Sequence, residues 1–355
     1  MKHYERRFQE DLDALVAGVS EVARLVTIAC HEAVAAALAG DEGRAAQVIL
    51  GDNPINRLVR KNDAACHAFV ARHYPAAGPL RLVSSLLRVD VALERVGDYA
   101  VTICRVATQR KRPIPAEVAP AVRALATSAF DMLDMALRAF LSRDEALARR
   151  TVGAAPAADR AHDVAFELIV GGDHGLSVRE VAGLLTIIAS LERVSDQAKN
   201  LAEESLFVAL GETKQPKIWR VLFVDAADAM VAPLARAIAT KSWGEAGRFY
   251  SAGVRPANEL DADLDAAADR LGLDLTGAMP RPVLPLDAAG TEHHVVVVLD
   301  PEITPPTSFH SVRVRWEVPS VPSPGEPGRP AAIDALARDL AAQINGLMHI
   351  LRGPN

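Results

Sequence analysis

Aromatic residues make up only 5% of the 355-residue chain, and it has just three cysteines, Cys30, Cys66 and Cys104. With so few rings, alanine and leucine must carry much of the core, and both favour helices. No two cysteines form a C-x-x-C pair. The alanine-rich neighbours of Cys30 mark a buried small hydrophobe, which suits a reducing cytosol. Basic stripes are also missing. With a formal charge of −6, the chain lacks the positive surface that a phosphate backbone demands, which argues against a nucleic-acid partner. The densest basic run, Arg110, Lys111 and Arg112, stands before Pro113, where it suits a helix C-terminus. The opening stretch "MKHYERRFQEDLDAL" is charged throughout, unlike a signal peptide. No apolar run stands out at the ~18 residues of a membrane span. The expectation is a soluble protein of the cytoplasm.

The length suits two or three domains, and half of the residues are hydrophobic. From about residue 8 to 212 the apolar period is helical. It is broken only at "AGDEG", "YPAAGP", "KRPIP", "SRDE" and "GGDHG", which delimit about six long helices. Beyond Pro216 the period changes. The β-branched runs "IWRVLFV", "HHVVVVL" and "VRVRWEV" alternate with helical segments near 230–240, 260–271 and 331–351, the pattern of a small parallel α/β domain. The expected organisation is a first three-helix repeat at 1–112, a second at 113–212, a linker at 213–217 and an α/β domain at 218–355.

The helical half repeats itself. "LRLVSSLLRVDVALERVGDYAVTI" from Leu80 and "VREVAGLLTIIASLERVSDQAKNL" from Val178 share the block Leu-Glu-Arg-Val-x-Asp-x-Ala. Each block puts two carboxylates four residues apart, Glu94 with Asp98 and Glu192 with Asp196, on one helix face. Asp90 extends the first stripe by a turn. Upstream lie Asp52 with Asn56 and Asp159 with Asp163 at the same spacing. Like charges so placed cost a helix ~0.2–0.5 kcal/mol per pair, which a bound cation would offset. Carboxylates are hard donors suited to magnesium, calcium, manganese or ferric iron. The alternative is a solvated acidic face balanced by Arg95 and Arg193, or by Arg81 and Arg179.

"ERVGD", "ERVSD" and "GDNPINRL" resemble the signature segments of the PhoU family over roughly residues 5 to 212. The resemblance implies a cytosolic pair of three-helix bundles that restrains a Pst-type phosphate ABC transporter and helps silence its sensor histidine kinase. It also implies a multinuclear metal cluster of iron, zinc or manganese. Its ligands would be Glu94, Asp98, Glu192 and Asp196, supported by Asp52, Asn56, Asp159 and Asp163. The chain departs from the family pattern at Gly78-Pro79, Leu176-Ser177 and Val59.

"VLFVDAADAMVAPLARA", "YSAG", "LGLDLTG" and "RWEVPSVPSPG" resemble the low-molecular-weight tyrosine phosphatases and arsenate reductases over most of residues 218 to 352. In those enzymes a C-x5-R-[ST] loop supplies the nucleophile and the anion cradle, and a late Asp-Pro supplies the acid. Here Asp225 stands at the nucleophile position, Val231 at the arginine and Ala232 at the hydroxyl, while Ser320-Val321 replace Asp-Pro. Asp228 adds a second acid to the loop, and two carboxylates would repel a phosphate dianion. A nucleophilic Asp225 would need a lysine and a hydroxyl that the loop lacks. Asp225 and Asp228 holding a cation is another reading.

His293 with His294, and Trp219, Trp243 and Trp316, read as structural residues. The leading expectation is a homodimeric regulatory protein with no catalytic residues and no organic cofactor, whose α/β domain is a docking surface. A phosphatase or arsenate reductase with a helical regulatory domain is the rival. A metal-storage or metal-sensing module is the third reading.

Overall fold

Short connections separate the helices of the first half, and three of them carry polar caps. The computed structural model describes residues 2–172, 175–211, 217–283, 293–304 and 311–352. Six helices come first: α1 Lys2–Ala39, α2 Glu42–His73, α3 Ala77–Arg110, α4 Ala119–Ser142, α5 Glu145–Gly171 and α6 Val178–Leu210. Asp41 and Asp144 cap α2 and α5 by accepting the amides of Arg44 and Leu147. Ser177 donates its amide and its hydroxyl to Glu180 at the start of α6. Lys111, Arg143 and Gly211 close α3, α4 and α6 in the left-handed conformation.

All six helices contribute to one core, including Val22 and Val26 of α1, Ile55 of α2, Leu86 and Leu93 of α3, Leu125 of α4, Ile169 of α5, and Ile188 and Leu191 of α6. Neither repeat keeps a core to itself. The three cysteines are buried free thiols, and burial pushes them up to about 12, 11 and 12 for Cys30, Cys66 and Cys104. One expectation needs correcting. By length and composition, α1 is apolar enough to cross a membrane. Its apolar side packs into the bundle core, however, and a core helix passes the same test.

Residues Met1–Gln215 and Pro216–Asn355 form two compact units. The second holds β1 Trp219–Asp225, α7 Val231–Trp243, β2 Gly247–Gly253, α8 Ala262–Leu271, β3 Val295–Val298, β4 Val312–Arg315 and α9 Arg329–Arg352. All four strands are parallel, in the order β2-β1-β3-β4. One face packs on α7, α8 and α9, where Phe223, Leu234, Trp316 and Leu340 meet. The other buries Leu222, Val224, Val296 and Val298. Burial on both faces explains the unbroken valine run of β3.

The helical unit followed by a parallel sheet is the architecture that the two periods predict. Strand β2, "GRFYSAG", is not among the β-branched runs. It is a strand because its backbone pairs with β1 from Gly247 to Gly253. Most of the expected linker lies outside the described residues. His293 and His294 precede β3 and face opposite sides, against Tyr250 and Trp219 respectively. Trp316 is buried, and Trp219 and Trp243 pack against the same core.

Candidate functional site

In the first repeat the neighbouring helices α2 and α3 bring Asp52, Asn56 and Asp98 together. Asn56 Nδ2 donates to Asp52 Oδ2 at 2.7 Å, which leaves Asp52 Oδ1 and Asn56 Oδ1 buried with no hydrogen-bond partner among the described residues. On α3, Gly97 lies so close that a Cβ there would stand 3.6 Å from Asp52 Oδ1. Burial, then the Asp52 charge, raises the Asp98 carboxyl, while Arg105 opposes the rise. Glu94 is half-buried one turn earlier on α3. Two orphaned oxygens beside an exposed carboxylate suit a hard cation. Still, among the described residues no three His, Cys, Asp or Glu converge closely enough to hold one.

Asp90 does not continue this surface stripe. It is 2% exposed and sits beside Asn62 in the core. Four residues overshoot one helical turn by about 40°, so the series Asp90, Glu94, Asp98 winds from buried through half-buried to exposed.

In the second unit the loop after β1 folds around a carboxylate of its own. Asp225 is 8% exposed. Its Oδ1 accepts the amides of Ala227 at 3.0 Å and Asp228 at 2.5 Å, and its Oδ2 accepts that of Ala232, in the first turn of α7, at 2.9 Å. Burial raises the Asp225 carboxyl against the pull of these three amides, and the Asp300 charge adds to the rise. Asp228 is fully buried in the left-handed region at φ 51° and accepts the Arg281 amide at 2.8 Å. Burial pushes it up to about 6, against the Arg281 amide and the Ser251 hydroxyl. Val231 opens α7 and Ala232 is buried behind it. Gly253 admits the loop, since a Cβ there would come within 2.7 Å of the Ala227 carbonyl carbon and the Asp228 nitrogen.

The PhoU domain matches residues 19–107 and 122–205, one match in each repeat. A phosphate-specific transport system accessory protein PhoU homolog of Pseudomonas putida is 30% identical over 213 residues, covering 59% of this chain and 83% of the relative. The chain belongs to the PhoU family. The crystal structure of PhoU from Pseudomonas aeruginosa is similar to its PhoU region, with a TM-score of 0.55 at 29% identity over 58% of this chain and 100% of that one. A thioredoxin-dependent arsenate reductase of Corynebacterium glutamicum reaches only a TM-score of 0.33 at 20% identity, over 44% of this chain and 75% of its own. That likeness decides nothing about the second unit.

Within the PhoU repeats, the second acidic patch holds a residue that the motif reading missed. His162 of α5 is buried between the two helices that carry the acids. Its Nε2 lies 3.7 Å from Glu192 Oε2 on α6, and its Nδ1 lies 3.6 Å from Asp163 Oδ1. Asp159 is half-buried on α5, and Asp196 is exposed on α6. The signal was available: His162 stands three residues after Asp159, where the first PhoU repeat has the apolar Ile55 three residues after Asp52. An imidazole beside carboxylates would widen the donor set toward zinc or iron.

Proposed function

We propose that this PhoU-family chain regulates phosphate uptake and phosphate signalling by binding other proteins. Its partners would be a phosphate ABC transporter, a sensor histidine kinase or both. The duplicated PhoU bundle, with an acidic patch at the same place in each copy, carries this reading. Similarity to the P. putida relative, an accessory protein of phosphate-specific transport, supports it. In this reading the protein works in the cytoplasm as a homodimer and reaches the membrane only through its partner.

Metal ions modulate the contact in this proposal. Asp52, Asn56, Glu94 and Asp98 would hold one group, and Asp159, Asp163, Glu192 and Asp196, with His162, the other. Iron, zinc or manganese bound there would cancel the acidic charge and tie α2 to α3 and α5 to α6. The second unit would act as a docking surface that breaks no bond. Support comes from Asp225 and Val231, which stand where a phosphatase of this kind needs a thiolate and a guanidinium. The Asp225 carboxylate also already takes three loop amides.

Affinity capture from phosphate-replete and phosphate-starved cells, with metal content measured on the same sample, tests the proposal. Recovery of transporter or kinase subunits in a phosphate-dependent manner is expected. Capture that ignores phosphate supply, from a preparation that cleaves phosphoesters, would leave the enzyme reading standing instead.

A further inference from the structure

The two repeats differ in one buried layer. In the first, Asn62 of α2 and Asp90 of α3 face each other at 6% and 2% exposure. Asn62 stands ten residues after Asp52, and Asp90 four before Glu94. Counting the same way from Asp159 and Glu192, the second repeat has Ile169 and Ile188, at 1% and 0% exposure. One bundle is therefore polar where the other is apolar.

The polar layer is poorly satisfied. Asn62 Nδ2 reaches Asp90 Oδ1 only at 3.4 Å, and Asp90 Oδ2 has no hydrogen-bond partner among the described residues. Helix α1 is shaped to it as well, because a Cβ on Gly18 would meet Asn62 Oδ1 at 2.4 Å. Among the described residues, Asp63 and Cys66 on α2 and Glu94 on its own helix are the titratable groups that act on Asp90 or feel its charge, and none of the three is cationic. A buried acceptor without a donor costs free energy that a packed isoleucine pair does not.

We propose that the Asn62–Asp90 layer is a built-in weak point at which α2 parts from α3 in the first repeat, while the apolar Ile169–Ile188 layer keeps the second repeat closed. Asp52 and Asn56 ride on α2 and Asp98 on α3, so such parting separates the first acidic patch and leaves the second intact. The device stands on packing alone and needs neither a metal nor a named partner.

Burial pushes Asp90 up to about 7, helped by the Asp63 and Glu94 charges and opposed by Asn62. The unfolded chain releases this proton near pH ~3.9. The stability that the protonated acid preserves is therefore full below that value and lost as pH rises through about 7, so opening increases with pH.

Hydrogen exchange on the full chain, read by mass spectrometry at about pH 6 and about pH 8 after correction for intrinsic rates, tests this. Residues 55–64 of α2 should exchange about tenfold faster than residues 162–171 of α5, with a larger gap at the higher pH. Asn62→Ile with Asp90→Ile, which copies the second repeat, should slow α2 by about tenfold and remove the pH dependence. Equal protection of α2 and α5 in the wild type would overturn the proposal, as would a double variant with unchanged α2 exchange. If the double variant does not fold, Asp90→Asn keeps the shape without the charge. It should hold α2 protection constant across this pH range, and a wild-type pH dependence there would equally overturn the proposal.

Discussion

Asp225 Oδ2 accepts the Ala232 amide at 2.9 Å, so the last residue of β1 caps the first turn of α7. Its Oδ1 takes two more amides, from Ala227 and Asp228. Asp225→Ala would leave three donors in a largely buried loop without this acceptor and should destabilise the second unit by about 2 kcal/mol. All three tryptophans, Trp219, Trp243 and Trp316, lie in that unit, so their fluorescence in a urea titration reports on it. Asp225→Asn, which keeps one acceptor oxygen, should lose less. Identical midpoints for wild type and the alanine variant would mean that water serves these amides as well as the carboxylate does.

The same residue separates the regulatory reading from the enzymatic one. Wild-type protein is expected to show no turnover of an aryl phosphate above the buffer rate. Turnover that disappears in Asp225→Asn would make Asp225 a nucleophile and end the docking-surface reading.

Gly253 is the neighbour that cannot take a side chain. Gly253→Ala forces a Cβ against the backbone of Ala227 and Asp228, which cannot swing aside as a flexible side chain could. A loss of about 1–3 kcal/mol is expected in the same titration. Gly346→Ala, on α9 of the same unit at a position with nothing within 4 Å, should not destabilise it and serves as the control.

Metal content should follow the acidic patches. Glu94→Ala with Asp98→Ala is expected to lower the iron, zinc or manganese measured by elemental analysis, and His162→Ala should lower the share held by the second patch. Unchanged content in both variants would make these acids a solvated face.

Asp228 predicts a pH slope of its own. Its carboxyl is raised to about 6 by burial, above the ~3.9 of an unfolded chain. The contribution of Asp228 to the stability of the second unit should therefore fall as pH rises from about 4 through about 6, while burial of His293, which lowers its imidazole to about 4, works in the opposite direction. Asp228→Asn removes the titration, and asparagine tolerates the left-handed backbone found here. A tryptophan-detected unfolding midpoint with a more negative pH slope over this window in the wild type than in the variant is the expected result. Parallel slopes would assign the dependence elsewhere.

Much of the architecture was legible because it rests on local physics. Three of the five helix breaks carry capping residues whose hydrogen bonds are made within three positions, at Asp41, Asp144 and Ser177. Strand β3 is a run of four valines buried on both faces. Strand β2 was not legible, since "GRFYSAG" has little β-branched content and owes its conformation to pairing with β1. The i,i+4 acids were visible as pairs. Which of them faces water or the core depends on the drift of about 40° per four residues and on where α3 meets its neighbours, and so Asp90 turns inward.

The sequence by itself determined the two periods, the duplication and the repeated acidic spacings. Each of these follows from residue type and from separations of a few positions. Tertiary structure alone decided that His162 lies between Glu192 and Asp163 and that Asn62 meets Asp90. It also decided that Asp225 turns inward to take three amides. These relationships join groups on different helices or set the direction of one side chain, and packing rather than spacing along the chain brings such groups together.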